Sequence, residues 1–103
     1  MKFRVIFAPE ARDDYSRLPA RVKGEVRDAI DRYLRAQPAQ VSRSRIKRLR
    51  GTRKPQYRLR VGDVRVFYDV RADEVEVLAI VEKSRAIAWL QQSGVYDEES
   101  SIS

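Results

Sequence analysis

Tyr57-Arg-Leu-Arg-Val-Gly-Asp-Val-Arg-Val-Phe-Tyr68 is the stretch that decides the fold. Core-type residues alternate with arginines and Phe67 on both sides of Gly62-Asp63, the pattern of two half-buried strands joined by a two-residue turn with glycine first. Folding the chain back there pairs Val61 with Val64, Arg60 with Arg65, Leu59 with Val66, Arg58 with Phe67 and Tyr57 with Tyr68. Side chains alternate across a strand, so Tyr57, Leu59, Val61, Val64, Val66 and Tyr68 share one face. Arg58, Arg60, Arg65 and Phe67 share the other. Like charges directly opposite are destabilising, where a favourable cross-strand pair contributes about 0.2–1 kcal/mol. Setting Arg60 against Arg65 is therefore costly for a purely structural strand. These arginines could be solvated, or paired with Glu76 or Glu82 on the next strand. The reading that accounts for the cost is a site: three guanidiniums bind a phosphodiester, and Phe67 stacks on an adjacent base.

Outward from this hairpin, Gln56 to Val61, Val64 to Val70 and Val75 to Val81 read as an antiparallel meander, with Arg71 to Glu74 as its second corner. Upstream, Lys2 to Phe7 alternates basic and apolar residues as another strand. Pro9 and Glu10 suit the first turn of a helix, and Ala11, Tyr15 and Leu18 recur at helical spacing until Pro19 stops it. From Ala20 to about Ala36 the stripe Val22, Val26, Ala29, Ile30, Tyr33 and Leu34 predicts a second helix, with Arg32 outside it. Gln37 to Arg45 reads as a loop. Ser84 is placed to cap a last helix through Gln91 or Gln92, and Gly94 to end it. The expected fold is α+β in the order β-α-α-β-β-β-α: an antiparallel four-stranded sheet with a helical hairpin on one face and the other face open. Residues 1–94 form the single domain, and residues 95–103 are expected to be a disordered acidic tail.

Among the 103 residues there is no cysteine and no histidine, so thiol and imidazole chemistry is excluded. With 43% hydrophobic and 36% charged residues the chain is of globular type, and no apolar run is long enough for a bilayer span, so the cytoplasm is the expected location. The net charge of +7 points to a polyanionic partner. The charge is also local: no acidic residue lies between Asp31 and Asp63, and half of the 22 basic residues fall there. Arg43, Arg45, Lys47, Arg48, Arg50, Arg53 and Lys54 in this stretch are candidate RNA-binding residues beside Phe67. No metal site and no cofactor motif is present in the sequence.

The series Arg48-Leu-Arg-Gly51, Tyr57-Arg-Leu-Arg60, Asp63-Val-Arg-Val-Phe-Tyr-Asp-Val70 and Val77-Leu-Ala-Ile-Val81 resembles the RelE/ParE superfamily, toxins of type II toxin–antitoxin systems with a microbial-ribonuclease-like fold. The likeness runs from the first strand to the last helix and leans to the RelE branch. It implies a ribosome-dependent mRNA endonuclease that cleaves by attack of the ribose 2′-hydroxyl on the adjacent phosphate, without metal. Arg58, Arg60 and Arg65 match the basic positions that act on the phosphate, and Lys83 or Arg85 the leaving-group acid. The general base of that branch is often lysine, whereas Arg60 is a poor base; Lys47 or Lys54 could supply one. No clear counterpart of the branch's C-terminal tyrosine occurs in Arg85-Ala-Ile-Ala-Trp-Leu90, where Ile87, Trp89 and Leu90 read as packing residues, and Tyr96 falls in the expected tail. The implied partners are a cognate antitoxin, the ribosome and mRNA. The alternatives are a ParE-like inhibitor that binds DNA gyrase and a non-catalytic RNA-binding module.

Overall fold

The hairpin forms in the register expected from its alternation. In the computed structural model, which describes residues 2–97, β4 (Tyr57–Val61) and β5 (Val64–Arg71) pair antiparallel from Val61–Val64 to Tyr57–Tyr68. Gly62 takes φ +56° at the turn, a left-handed conformation that costs glycine little and a β-branched residue much. In chain order the other elements are β1 (Arg4–Phe7), α1 (Pro9–Ser16), α2 (Ala20–Ala29), β2 (Ile46–Arg48), β3 (Thr52–Lys54), β6 (Glu74–Glu82), α3 (Ala86–Ser93) and β7 (Val95–Tyr96). A π-helical turn (Ile30–Leu34) follows α2, and a 3-10 turn (Lys83–Arg85) precedes α3. Among the described residues no helix is long and apolar enough to cross a membrane.

The α+β class and the succession of the long elements are as expected, and the sheet is larger by one strand. Its order is β1-β6-β5-β4-β2. β1 joins β6 in parallel, Arg4 opposite Glu74 through Phe7 opposite Val77, so the sheet is mixed rather than wholly antiparallel. The helical layer carries the chain back across the sheet between β1 and the meander, which sets this direction. The extra strand, β2, comes from the basic stretch and pairs with β4, Ile46 opposite Leu59. Short polar strands of this kind lack the apolar run that marks a strand in sequence.

The helical hairpin covers the face that carries Leu59, Val61, Val64, Val66 and Tyr68, and these join Val26, Ile30, Leu34, Ile46, Val75 and Val77 in one core. Tyr68 sits at its centre and donates its hydroxyl to Pro38 O at 2.6 Å, which ties the loop after the helices to the sheet. The second helix keeps its α geometry to Ala29 and then widens, with Arg35 N donating to Ile30 O at 3.1 Å. The wider turn sets both Ile30 and Leu34 in the core, while Arg32 stays exposed.

The opposite face is not wholly open. α3 crosses it, and the Trp89 ring stacks on Phe67 at 4.9 Å between centroids with 12° between planes. Trp89 Nε1 also donates to Glu10 Oε2 at 2.7 Å, fastening α3 to the start of α1. Of the three residues expected to pack from this helix, Ile87 instead faces solvent at 72% exposure. Gly94 ends α3, and a Cβ there would lie 2.6 Å from Leu90 O, so only glycine fits the turn. Within the stretch expected to be a tail, Val95 and Tyr96 form β7 against β3, and Asp97 N donates to Gly51 O at 3.0 Å. The rest of that tail, residues 98–103, lies outside the described residues.

Candidate nucleic-acid interface

Two rows of side chains cross the face opposite the helical hairpin. Register places Lys47 beside Arg58, Arg58 beside Phe67 and Phe67 beside Ala79. In the next row Arg60 lies between Arg45, whose carbonyl accepts Arg60 N at 2.9 Å, and Arg65, which is followed by Val81. Lys47, Arg45 and Arg60 are exposed and Arg58 is half-buried. Glu76 is engaged by Arg71 at 3.0 Å, and no carboxylate forms an ion pair with any of these four among the described residues. The alternative that neighbouring glutamates neutralise the arginines is thus not realised.

Arg58 is the strained member. Its Nε is buried with no hydrogen-bond partner, a donor that ordinarily finds one. Burial, then the nearby Arg65 and Arg60 charges, pull its pKa below the usual arginine value. A desolvated cation among cations is stabilised by an arriving anion.

Arg65 departs from expectation. It is 7% exposed, and its Nη1 donates to Gly62 O at 2.8 Å and Val64 O at 3.0 Å. The guanidinium is folded onto its own hairpin, where it satisfies turn carbonyls, and burial followed by the Arg60 charge lowers its pKa. Phe67 departs further: at 1% exposure under Trp89 it offers no surface to a base. Period-two alternation specifies a face, not what crosses it.

The remaining candidates divide. Arg48 is opposite Tyr57 on the helical side, its guanidinium carbon 5.2 Å from that ring's centroid and its Nη1 bonded to Gln56 O at 2.8 Å, so it is not part of the cationic face. Arg43, Arg50, Arg53 and Lys54 are exposed; Arg53 and Lys54 lie on β3, in the small second sheet. Lys83 N donates to Asp63 O at 2.7 Å, which sets the 3-10 turn beside the hairpin turn. Lys83 and Arg85 line cavities that also hold Asp63 and Glu82, separate from those holding Lys47 or Arg60.

Tyr96, which the sequence reading sets in the expected tail, is carried by β7 instead. With Lys47, Arg50, Leu49, Thr52 and Leu90 it lines a cavity of about 580 Å³ beside the Lys47–Arg58 row, and its hydroxyl donates to Leu90 O at 2.8 Å. The signal lay in Gly94: a helix stop followed by Val95-Tyr96 allows a strand, but two residues carry too little pattern to identify one.

A family model described as the ParE toxin of the type II toxin–antitoxin system parDE matches residues 5–87. Among solved structures, the chain is similar to the archaeal RelE–RelB complex from Pyrococcus horikoshii OT3, with 25% identity, a TM-score of 0.67 and coverage of 82% of this chain and 99% of that one. It is also similar to the toxin–antitoxin complex RelBE2 from Mycobacterium tuberculosis, with 26% identity, a TM-score of 0.66 and coverage of 80% and 99%. A mutant of the E. coli toxin RelE in the free state shares the fold at 19% identity and a TM-score of 0.67, covering 90% and 95%. No curated protein matches the chain. With the family match spanning most of the sequence and the hairpin, mixed sheet and helical layer in place, the chain belongs to the ParE toxin family of type II toxin–antitoxin systems, within the RelE/ParE superfamily.

Proposed function

We propose that this toxin acts on RNA, as a ribosome-dependent mRNA endonuclease, through the exposed half of its cationic face. The observation that carries the reading is Arg58: a half-buried guanidinium with an unpartnered Nε, beside Lys47 and Arg60, with no carboxylate among the described residues paired with it. Arg58 and Arg60 would stabilise the charge that develops on the phosphate. In the cleavage step the ribose 2′-oxygen bonds to phosphorus as the bond to the 5′-oxygen breaks, leaving a cyclic phosphate and a 5′-hydroxyl. Lys47 is placed to take the 2′-hydroxyl proton, and Tyr96, in the same cavity, to give its proton to the departing 5′-oxygen. The partner is a cognate antitoxin whose acidic segment covers the cationic face, in keeping with the complexes formed by the Pyrococcus and Mycobacterium relatives.

The test is mRNA integrity during in-vitro translation. Cleavage that survives EDTA and is lost in Arg58→Gln and Lys47→Gln supports the reading. A second reading, inhibition of DNA gyrase by protein binding, is favoured by Arg65 and Phe67, which are withdrawn from the surface and leave a thinner catalytic set. Intact mRNA together with blocked gyrase supercoiling would select it.

A further inference from the structure

The cationic surface turns the corner at the outer edge of the sheet. Arg45, just before β2, accepts a hydrogen bond from Arg60 N at its carbonyl and also reaches Arg60 O with Nη1 at 3.3 Å. Its guanidinium carbon lies 5.4 Å from the centroid of the Tyr33 ring, and that of Arg32 lies 5.9 Å from the same centroid. One tyrosine thus holds two cations. Asp31, the nearest carboxylate in sequence, is taken by Arg35 at 2.8 Å, and neither Arg32 nor Arg45 has an ion-pair partner among the described residues. Elsewhere Arg4, Arg35 and Arg71 are all paired with carboxylates. No carboxylate among the described residues pairs with the two guanidiniums to offset their repulsion on one ring.

The geometry is built rather than incidental. The π-helical turn (Ile30–Leu34) sets Ile30 and Leu34 in the core while leaving Arg32 exposed and Tyr33 half-buried at the surface. Ser42 Oγ accepts Arg45 N at 3.0 Å and Ile46 N at 3.1 Å, which fixes the facing loop. Between them is a cavity of about 270 Å³ whose lining includes Arg32, Tyr33, Gln37, Gln40, Ser44 and Arg45 and no carboxylate. Sites that engulf a small molecule run to roughly 300–1,000 Å³. A smaller, donor-rich hollow suits one segment of a strand that passes over it.

We propose that Arg32 and Arg45, positioned on Tyr33, form a second phosphate-binding station, so that a single RNA strand crossing Lys47, Arg58 and Arg60 continues round the edge of β2 onto the helical side. This deepens the RNA reading above and rests on it. Guanidinium forks match phosphate oxygens, and the Gln37 and Gln40 amides can bond to sugar hydroxyls or base edges. A flexible single strand can follow two surfaces that meet at a sheet edge, whereas a stiff duplex cannot.

The experiment uses the full chain and uncleavable 2′-O-methyl single strands of roughly four and roughly twelve nucleotides, read by fluorescence anisotropy against salt. The double variant Arg32→Gln with Arg45→Gln is expected to weaken the longer strand by roughly tenfold at low salt, and to reduce its log–log salt slope by about 1.4, or about 0.7 per lost phosphate contact. The single variant Arg32→Gln leaves binding of the shorter strand and the thermal midpoint unchanged. Tyr33→Phe retains binding because the ring remains; Tyr33→Leu behaves like the double variant. If the double variant binds the longer strand with unaltered affinity and slope while Arg58→Gln abolishes binding, the RNA reading stands and the second station falls. If neither strand binds the unsubstituted protein, the second station falls, while mRNA cleavage during in-vitro translation decides the RNA reading separately. Loss of affinity for the purified antitoxin with RNA binding intact would instead assign the station to an acidic protein segment, and overturn the proposal.

Discussion

The β2–β4 half and the β5–β6 half of the outer sheet face descend from the same alternation, and they have opposite fates. On the first, Lys47, Arg58, Arg60 and Arg45 have no carboxylate partner among the described residues, and three of the four are exposed. On the second, Phe67 is sealed under Trp89 and Arg65 is turned onto Gly62 and Val64 carbonyls. A cation is available to a ligand only where the fold has not already supplied its acceptors. The difference lies in the cover: α3 stacks Trp89 on Phe67 in one half, while Lys47, Arg45 and Arg60 stay exposed in the other.

The largest effect that can break this comparison is on catalysis. Arg58→Gln is expected to slow mRNA cleavage by roughly 10²–10³, the usual cost of losing a donor aimed at developing charge, with the fold intact by circular dichroism. Arg65→Gln should do the reverse, lowering stability by about 1.5–3 kcal/mol in urea denaturation through its lost bonds to the turn, while cleavage persists. Were cleavage to collapse in Arg65→Gln instead, the two halves would have to exchange roles.

A smaller effect sharpens the comparison. Trp89→Ala should cost about 0.5–1.5 kcal/mol for the lost ring pair and, by uncovering Phe67, tighten binding to single-stranded RNA. Unchanged affinity in an anisotropy titration would mean that the covered half takes no base even when opened.

The smallest effect is on pH. Burial lifts the Asp69 carboxyl above its ordinary 3.8, against the pull of its bond from Gln56 N. The folded state therefore holds this proton more tightly than the unfolded chain does. The stability it contributes is full below the unfolded value and is lost as pH rises through the folded one. Asp69→Asn should flatten the denaturation midpoint just above pH 3.8, because its side-chain oxygen still accepts Gln56 N. A midpoint that still fell over that interval would place the titration elsewhere, and Asp14, raised for the same reason, is the next residue to test.

Much of this was legible in the residues. The turn at Gly62-Asp63 and the five cross-strand pairs follow from alternation and from glycine's access to positive φ, both local properties. The helical hairpin follows from the 3.6-residue stripe and from Pro9 and Pro19. The strand β2 was hidden because Ile46-Lys-Arg48 has one apolar residue, and its stability comes from pairing with Leu59, Arg58 and Tyr57 rather than from itself. Tyr96 was hidden for the same reason, since its pairing with Thr52 spans a long sequence separation.

Sequence alone determined the fold class, the hairpin register and which side of the sheet is cationic, because each rests on side-chain periodicity and turn chemistry within a few residues. Only the tertiary structure decided which cations are free. The stack of Trp89 on Phe67, the gathering of Arg32 and Arg45 on Tyr33 and the placing of Lys47 beside Arg58 join residues far apart in the chain, and no local pattern records such contacts.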